Sequence, residues 1–459
     1  MKSVLLVNPP SPIGFISDYL FPPLGLAYIA SSLEQSGQCV EILDMNALNL
    51  DENHLVSRLS SGTVHIVGFT ATTPVINRAI KLCKTVKETD PSIVTIVGGP
   101  HVSAIPDQAI ESSCVDITVR GEGERAMTEV ANDKSLDSVR GIIYRKGEEV
   151  IRNPIAPLLD DIDSLPFPAR HLLPANRYST PLIKRKPFTT LLTSRGCPYN
   201  CTFCYHFPFG HKFRPRSPKN VIAEVDDLVH NHGIRELDIL DDCFTFAPSR
   251  TYEICEEIIA AKYDLIWRCS NGIRVDTITK DLLELMHKAG CVHAAFGVES
   301  GDPEILSNIR KGVTIDKITR VFKWCRQVGI ETTALMMIGN IGENRQTIQR
   351  SIEFVNDLDP DYVNWAIAVP FPTTEFHKWV TENGYFLTDN WDDFGHFRKP
   401  TFEVPPDLTS DLMVRMYKAA IKAFYLRPRY VMSRLSGLSC FDDLLRGLKN
   451  AFEVVKLCR

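Results

Sequence analysis

The sequence contains no apolar run approaching the roughly 18 consecutive residues a bilayer span requires, so it reads as a chain that crosses no membrane. Nor does it carry an excess of either charge. With 51 Lys and Arg against 56 Asp and Glu, the formal net charge of -5 leaves no electrostatic footprint for nucleic acid. Its start does not read as a secretory signal either: MKSVLLVNPPSP has one Lys and a short apolar run before Asn8, Pro9 and Pro10, and is expected to be a first strand. From these signs a cytoplasmic address is expected, where thiols stay reduced and clustered cysteines bind metal or react. Most of its 13 cysteines stand singly among apolar neighbours, as small buried hydrophobes do.

What is present is a repeated alternation of short apolar runs and helix-length segments. At 459 residues the chain exceeds one ordinary core, so more than one domain is expected. Over residues 1–140, SVLLVN, CVEILD, VHIVGFT, SIVTIVGG and VDITVR predict five buried parallel strands in a flavodoxin-like α/β domain, with helices near 22–36, 74–88 and 105–113. A hairpin, GIIYRKGEEVIR, and a Pro-rich linker fill 141–187. Six further strand and helix units in 188–400 predict a partial (β/α)6 barrel. Ser217-Pro218 supplies an N-cap and a proline at the first position of its first helix. Residues 401–459 read as a helical tail, basic from 411 onward.

In parallel α/β sheets, ligands bind beyond the carboxyl ends of the strands. In the first domain those ends carry Asn8, Asp44, Thr70, Gly98-Gly99 and Gly121-Glu122, small or polar lips that let a backbone approach a large ligand. GEGERA at 121–126 formally fits the dinucleotide fingerprint, but it follows the fifth strand, and no acidic residue stands about 20 positions on to bind a ribose. A nicotinamide site is not expected.

RGCPYNCTFCYH, residues 195–206, puts Cys197, Cys201 and Cys204 in one loop. A closed zinc site wants four ligands, which His206 could complete, yet no second Cys knuckle lies nearby. Three thiolates on a four-iron cluster would instead leave one iron open to an outside ligand. The spacing C-x3-C-x2-C, with Phe203 before the last Cys, closely resembles the radical S-adenosylmethionine (SAM) superfamily. That resemblance implies a 4Fe-4S cluster on Cys197, Cys201 and Cys204, with SAM chelating the open iron. It also implies adenine packing at Phe203 and a backbone bond from the SAM amino group at Tyr205.

Polar residues at the other barrel strand ends would ring one mouth, as the active face of a β/α barrel does. By resemblance, Asp242 of the Asp241-Asp242 pair, which replaces a commoner Gly-Gly-Glu, meets the methionine amino group. Glu299 and Ser300 of GVESGDPEIL match the ribose segment, and Gly339 and Ile341 of IGNIGEN match the adenine segment. Arg274 could pair with the SAM carboxylate or with Asp276 or Asp242. Cys243 reads as a buried strand-end thiol.

A flavodoxin-like domain before such a barrel resembles the cobalamin-binding branch of the superfamily, which includes methylases and an anaerobic magnesium-protoporphyrin ester cyclase. The resemblance implies cobalamin cradled at Asn8, Thr70, Gly98, Gly99, Gly121 and Glu122. The D-x-H-x-x-G signature that gives cobalt an imidazole is missing, since none of the 12 His has Asp two positions before it; His101 is the candidate lower ligand.

The expectation is therefore a cobalamin-dependent radical SAM enzyme acting on an unactivated carbon of a small-molecule substrate, lipophilic if the tail rests on a membrane. Methyl transfer leads. Cyclisation or another radical outcome is the alternative, and a metal-stapled binding protein is the non-enzymatic one. A flavodoxin or ferredoxin would supply electrons.

Overall fold

The computed structural model describes residues 1–11, 20–206, 209–395 and 399–436. The first third of the chain builds a seven-stranded sheet from β1 (Ser3–Asn8), β2 (Cys39–Asp44), β3 (Ile66–Thr70), β4 (Val94–Gly98), β5 (Ile117–Val119), β6 (Ile142–Lys146) and β7 (Glu149–Arg152), in the order β2-β1-β3-β4-β5-β6-β7. The first five run parallel, as their continuous apolar runs require of strands covered on both faces. The hairpin β6-β7 adds antiparallel to β5, so the hairpin grouped with the linker extends this sheet.

Helices Leu24–Gln35 and Gly123–Ala131 cover one face and Ile76–Thr89 the other, each burying its apolar stripe. The single helix expected near 105–113 is two short ones, Pro100–Ala104 and Pro106–Ile110. Pro106 opens the second: it lacks an N–H and disfavours a helical conformation at Ile105, so the chain breaks there.

The second sheet is β8 (Phe188–Leu191), then, after a small ribbon of β9 (Ser194–Arg195) and β10 (Arg214–Pro215), β11 (Glu236–Ile239), β12 (Ile266–Ile273), β13 (Cys291–Glu299), β14 (Glu331–Ile338) and β15 (Tyr362–Ile367). The order β15-β14-β13-β12-β11-β8, parallel throughout, is that of a partial β/α barrel. Helices Pro218–His230, Pro248–Ala261, Lys280–Lys288, Ile315–Val328 and Arg345–Leu358 alternate with the strands. Ser217 caps the first by accepting from Asn220 N, with Pro218 following it.

The barrel floor is plugged by protein. Lys184 and Arg185 donate their backbone N–H groups to Glu236, and buried Arg268 bonds Asp238 at 2.9 Å. Helix Ser410–Tyr425 packs on the barrel beside β15, and Met413 lies where a Cβ on Gly339 would stand 3.0 Å from its sulfur. A further helix spans Pro428–Ser436; the remainder of the expected tail, 437–459, lies outside the described residues. Among the described residues no helix is long and apolar enough to cross a membrane.

Candidate functional site

At the carboxyl end of the barrel, the loop after β9 carries the three cysteines and is pinned from several sides. Gly196 holds φ 84° where an added Cβ would lie 2.4 Å from Lys212 O, so no other residue fits between Arg195 and Cys197. Asp241 accepts from Thr193 N at 2.6 Å and from the Thr193 and Ser194 hydroxyls at 2.5 Å, while Asp242 accepts from Gly196 N at 3.1 Å. The acidic pair thus anchors the approach to Cys197. Asp241 is fully engaged there. Asp242 opens onto the crowded mouth, where desolvation and then the Asp241 charge push its carboxyl above the usual range.

The three sulfurs do not converge on one point: Cys197 is turned to the Cys243 thiol, whereas Cys201 and Cys204 adjoin. Among the described residues no group of three or more His, Cys, Asp or Glu could hold a single metal ion. That spread disfavours a zinc knuckle and suits a cubane, whose corners are separate irons each taking one sulfur. Cys197 is lowered to about 7, chiefly by the Cys243 hydrogen bond. Cys201 is lowered to about 6 by the Cys204 hydrogen bond, assisted by the charges of Lys311 and Arg274. Cys204 is raised because it donates to Cys201. Cys243 is buried, as expected of a strand-end thiol.

Lys311 is the residue that sequence reasoning missed. It is buried, it donates to Glu299 Oε1 at 2.8 Å, and its ammonium lies 6.0 Å from the centre of the Phe203 ring. Burial opposes its charge, but Glu299 and Cys201 hold its pKa above the ordinary lysine value. Gly297 makes the room: a Cβ there would stand 2.5 Å from Lys311 Nζ and 2.7 Å from Glu299 Oε1. Glu299 itself adopts φ 65°, at an irregular step in the pairing of β13 with β14. A side chain held in that region costs about 1–3 kcal/mol and is kept where surroundings over-determine it.

Arg274 takes the ion-pair alternative. Its guanidinium grips Asp276 with two bonds, at 2.9 and 3.0 Å, donates to Lys311 O at 2.6 Å, stacks 3.5 Å over Tyr199, and reaches the Cys201 sulfur at 4.0 Å. Ser300 is not brought to the mouth: its side chain is buried against Ser351 and accepts from Asp302 N, the turn into helix Pro303–Asn308. Gly339 and Asn340 donate their N–H groups to buried Glu343, whose carboxyl burial raises to about 7, so the fifth-strand turn is held from beneath. Ile341 O accepts from Asn308. Tyr205 is half-buried beside the last cysteine.

The lips of the first sheet present backbone more than side chains. Asn8 donates to Asp44, which Tyr178 also bonds. His101 is buried with Nδ1 at Thr73 and Nε2 at Gln108, so both ring nitrogens are occupied within the protein. Gly99 has φ 106°, and a Cβ there would meet the Ala71 backbone at 2.8 Å and the Thr70 hydroxyl at 3.1 Å. Gly121, at φ 85°, donates to Ser103 Oγ, which donates in turn to Gly99 O.

Glu122 departs most from its expected place: its carboxylate is paired with Arg195 at 2.7 Å and Arg214 at 3.0 Å and accepts from Leu159 N. Its backbone lies at the lip, but its charge faces the barrel. Thr70, Gly98, Gly99 and Gly121 remain as a narrow lip of small residues along the parallel strand ends, fit for a flat ligand held by backbone.

Two family models match the chain: the Radical SAM superfamily over residues 191–355 and the B12 binding domain over residues 12–131. An uncharacterized methyltransferase of Pyrococcus horikoshii is 33% identical over 440 residues, covering 94% of each chain. The anaerobic magnesium-protoporphyrin IX monomethyl ester cyclase of Rubrivivax gelatinosus is 31% identical over 371 residues, 78% of this chain and 66% of the cyclase. The methyltransferase TsrM from Kitasatospora setae, solved with cobalamin and a 4Fe-4S cluster bound, matches with a TM-score of 0.76 over 100% of this chain and 99% of its own, at 18% identity. That last likeness speaks for the fold.

Proposed function

Because the chain belongs to the radical SAM superfamily and carries a B12-binding domain, whose cofactors are a 4Fe-4S cluster, SAM and cobalamin, we propose that it transfers a methyl group to an unactivated carbon of a small-molecule substrate. When bound, the cluster supplies the electron that cleaves SAM to a carbon-centred radical, and cobalamin supplies the methyl group. Cys197, Cys201 and Cys204 would hold the cluster.

The observation that carries the reading is buried Lys311 paired with Glu299 beside Cys201 and Phe203: a charged corner of the mouth, next to two of the three thiols, packed so closely that a Cβ on Gly297 would strike both charged groups. In it, Glu299 would accept from the SAM ribose hydroxyls, as a carboxylate suits two donors. After the Cys204 hydrogen bond, Lys311 and Arg274 favour the thiolate of Cys201, and they would offset the negative charge a thiolate-bound cluster brings. Asp242 orients the loop through Gly196 N and faces the mouth, within which it would meet the methionine amino group. Phe203 would flank the adenine, with the Gly339–Ile341 turn on its other edge and the Tyr205 backbone at the amino group. Ser300 would serve by shaping the turn after Glu299. Asn8, Thr70, Gly98, Gly99, Gly121 and the Glu122 backbone would line the corrin. Division of the chain at about 187 and 400 fits this allocation of cofactors, with the hairpin past 140 going to the first sheet.

A flavodoxin or ferredoxin would supply electrons in the cytoplasm, and exposed Leu426, Val431 and Met432 favour peripheral contact with a membrane if the substrate is lipophilic. Radical cyclisation is the second reading, favoured by the cyclase likeness across 78% of the chain. Incubating the anaerobically reconstituted enzyme with methyl-labelled SAM, reductant and cell extract tests the choice. Methyl transfer predicts a labelled small molecule alongside deoxyadenosine. Deoxyadenosine with substrate consumed and no label incorporated would overturn it in favour of cyclisation.

A further inference from the structure

The mouth of the barrel and the lip of the first sheet are joined by a buried charge cluster that the chemistry above does not use. Arg195, two residues before Cys197, donates through Nη1 to Glu122 at 2.7 Å and through Nη2 to Glu124 at 2.6 Å. Across the β9-β10 ribbon Arg214 pairs in register with Arg195, donates to both Glu122 oxygens at 3.0 Å and to Leu159 O at 2.6 Å. All four side chains are nearly sealed, at 3% and 1% exposure for the arginines and 9% for each carboxylate. The Arg195 guanidinium also lies 5.1 Å from the Tyr28 ring of the first domain and 5.3 Å from the Phe209 ring beyond the cysteines. Burial opposes its charge, yet Glu124 and Glu122 hold it more firmly protonated than a free arginine.

Two cations and two anions balance, and such a buried cluster is weak evidence for stability, since apolar residues of the same volume would serve as well. What a guanidinium bonded to two carboxylates at once adds over an apolar seam is fixed register. Here the register links two ligand loops. From Cys197 the path runs by chain through Gly196 to Arg195, across to Glu122, by chain to Gly121, and by hydrogen bonds through Ser103 to Gly99.

We propose that Arg195, with Arg214, Glu122 and Glu124, is a positioning device that sets the cobalamin lip against the cluster loop, so that each cofactor senses the state of the other's loop. This rests on the functional reading above. Its test places a substitution on one side of the seam and reads the other side. Glu124→Gln, in the first domain, is expected to alter the electron paramagnetic resonance spectrum of the reduced, SAM-bound cluster. Arg195→Lys, in the barrel, is expected to weaken hydroxocobalamin binding by at least about fivefold, the low end of ordinary site-to-site coupling. In both, deoxyadenosine formed per labelled product should rise. Folded variants with the wild-type spectrum and the wild-type hydroxocobalamin affinity would overturn the proposal. Should Arg195→Lys fail to fold, Arg214→Lys, on the same barrel side of the seam, carries the affinity arm with the same two outcomes. If the wild-type protein takes up no hydroxocobalamin, the functional reading fails, while the cluster spectrum of Glu124→Gln still decides the coupling.

Discussion

At the lip of the first sheet the polar side chains turn inward, Asn8 to Asp44, His101 to Thr73 and Gln108, Glu122 to Arg195, whereas at the barrel mouth Lys311, Glu299 and Arg274 gather around Cys201. Both regions lie at the carboxyl ends of parallel strands, yet one offers backbone and the other charge. The difference follows from the ligands each would take. A corrin is broad and needs close approach along a row of small residues, which Gly98, Gly99 and Gly121 allow. A thiolate-bound cluster with a sulfonium cofactor concentrates charge in a small volume, which only ionised side chains held out of water can match.

Substitutions at four positions test this contrast, in descending order of effect. Cys201→Ala should abolish cluster iron and deoxyadenosine formation together while leaving hydroxocobalamin uptake intact, as iron assay and corrinoid absorbance would report. Lys311→Met should leave Glu299 buried without its cation, a loss of about 3–5 kcal/mol for a broken buried pair, visible as a lowered Tm and a raised KM for SAM. Lys311→Arg should recover part of both.

Gly99→Ala should act first on the other region. Its Cβ would collide with the Ala71 backbone at a left-handed φ, costing about 1–3 kcal/mol and weakening hydroxocobalamin binding with cluster iron unchanged. The smallest effect is on pH dependence. His293, on the barrel floor, is lowered from 6.5 to about 3 by burial first and Arg268 second; His101 is lowered by burial. Since the folded state favours the neutral imidazole at both, their contribution is complete above pH 6.5 and is lost as pH falls below it, for His293 down to about 3. Urea midpoints between pH 7 and pH 4 should therefore fall less steeply for His293→Gln than for the wild type.

Much of this architecture is written in local patterns. Uninterrupted apolar runs such as SIVTIVGG demand strands covered on both faces, and the three-cysteine loop is compact enough to be read directly. The hairpin's attachment was not legible, because its turn specifies β6 against β7 but says nothing of β5 beside them. Lys311 escaped because it stands in the turn that follows helix Pro303–Asn308 and belongs to no motif; only the irregular step at Gly297–Glu299 brings the Glu299 carboxylate to its ammonium.

Arg195 was legible as part of the cysteine loop, but its partners Glu122 and Glu124 lie more than 70 positions away, beyond what spacing can connect. The signal that could have found them is an arginine beside a metal loop and a paired Glu-x-Glu at a strand end, charges set where the sequence is otherwise being buried.

The central claim is an iron left without a protein sulfur, and electron paramagnetic resonance of the reduced, reconstituted protein with SAM labelled at its amino nitrogen tests it most directly. Four irons and four sulfides per chain are expected, with a hyperfine coupling from that nitrogen to the cluster. A complete cluster whose spectrum is the same with and without SAM would contradict it.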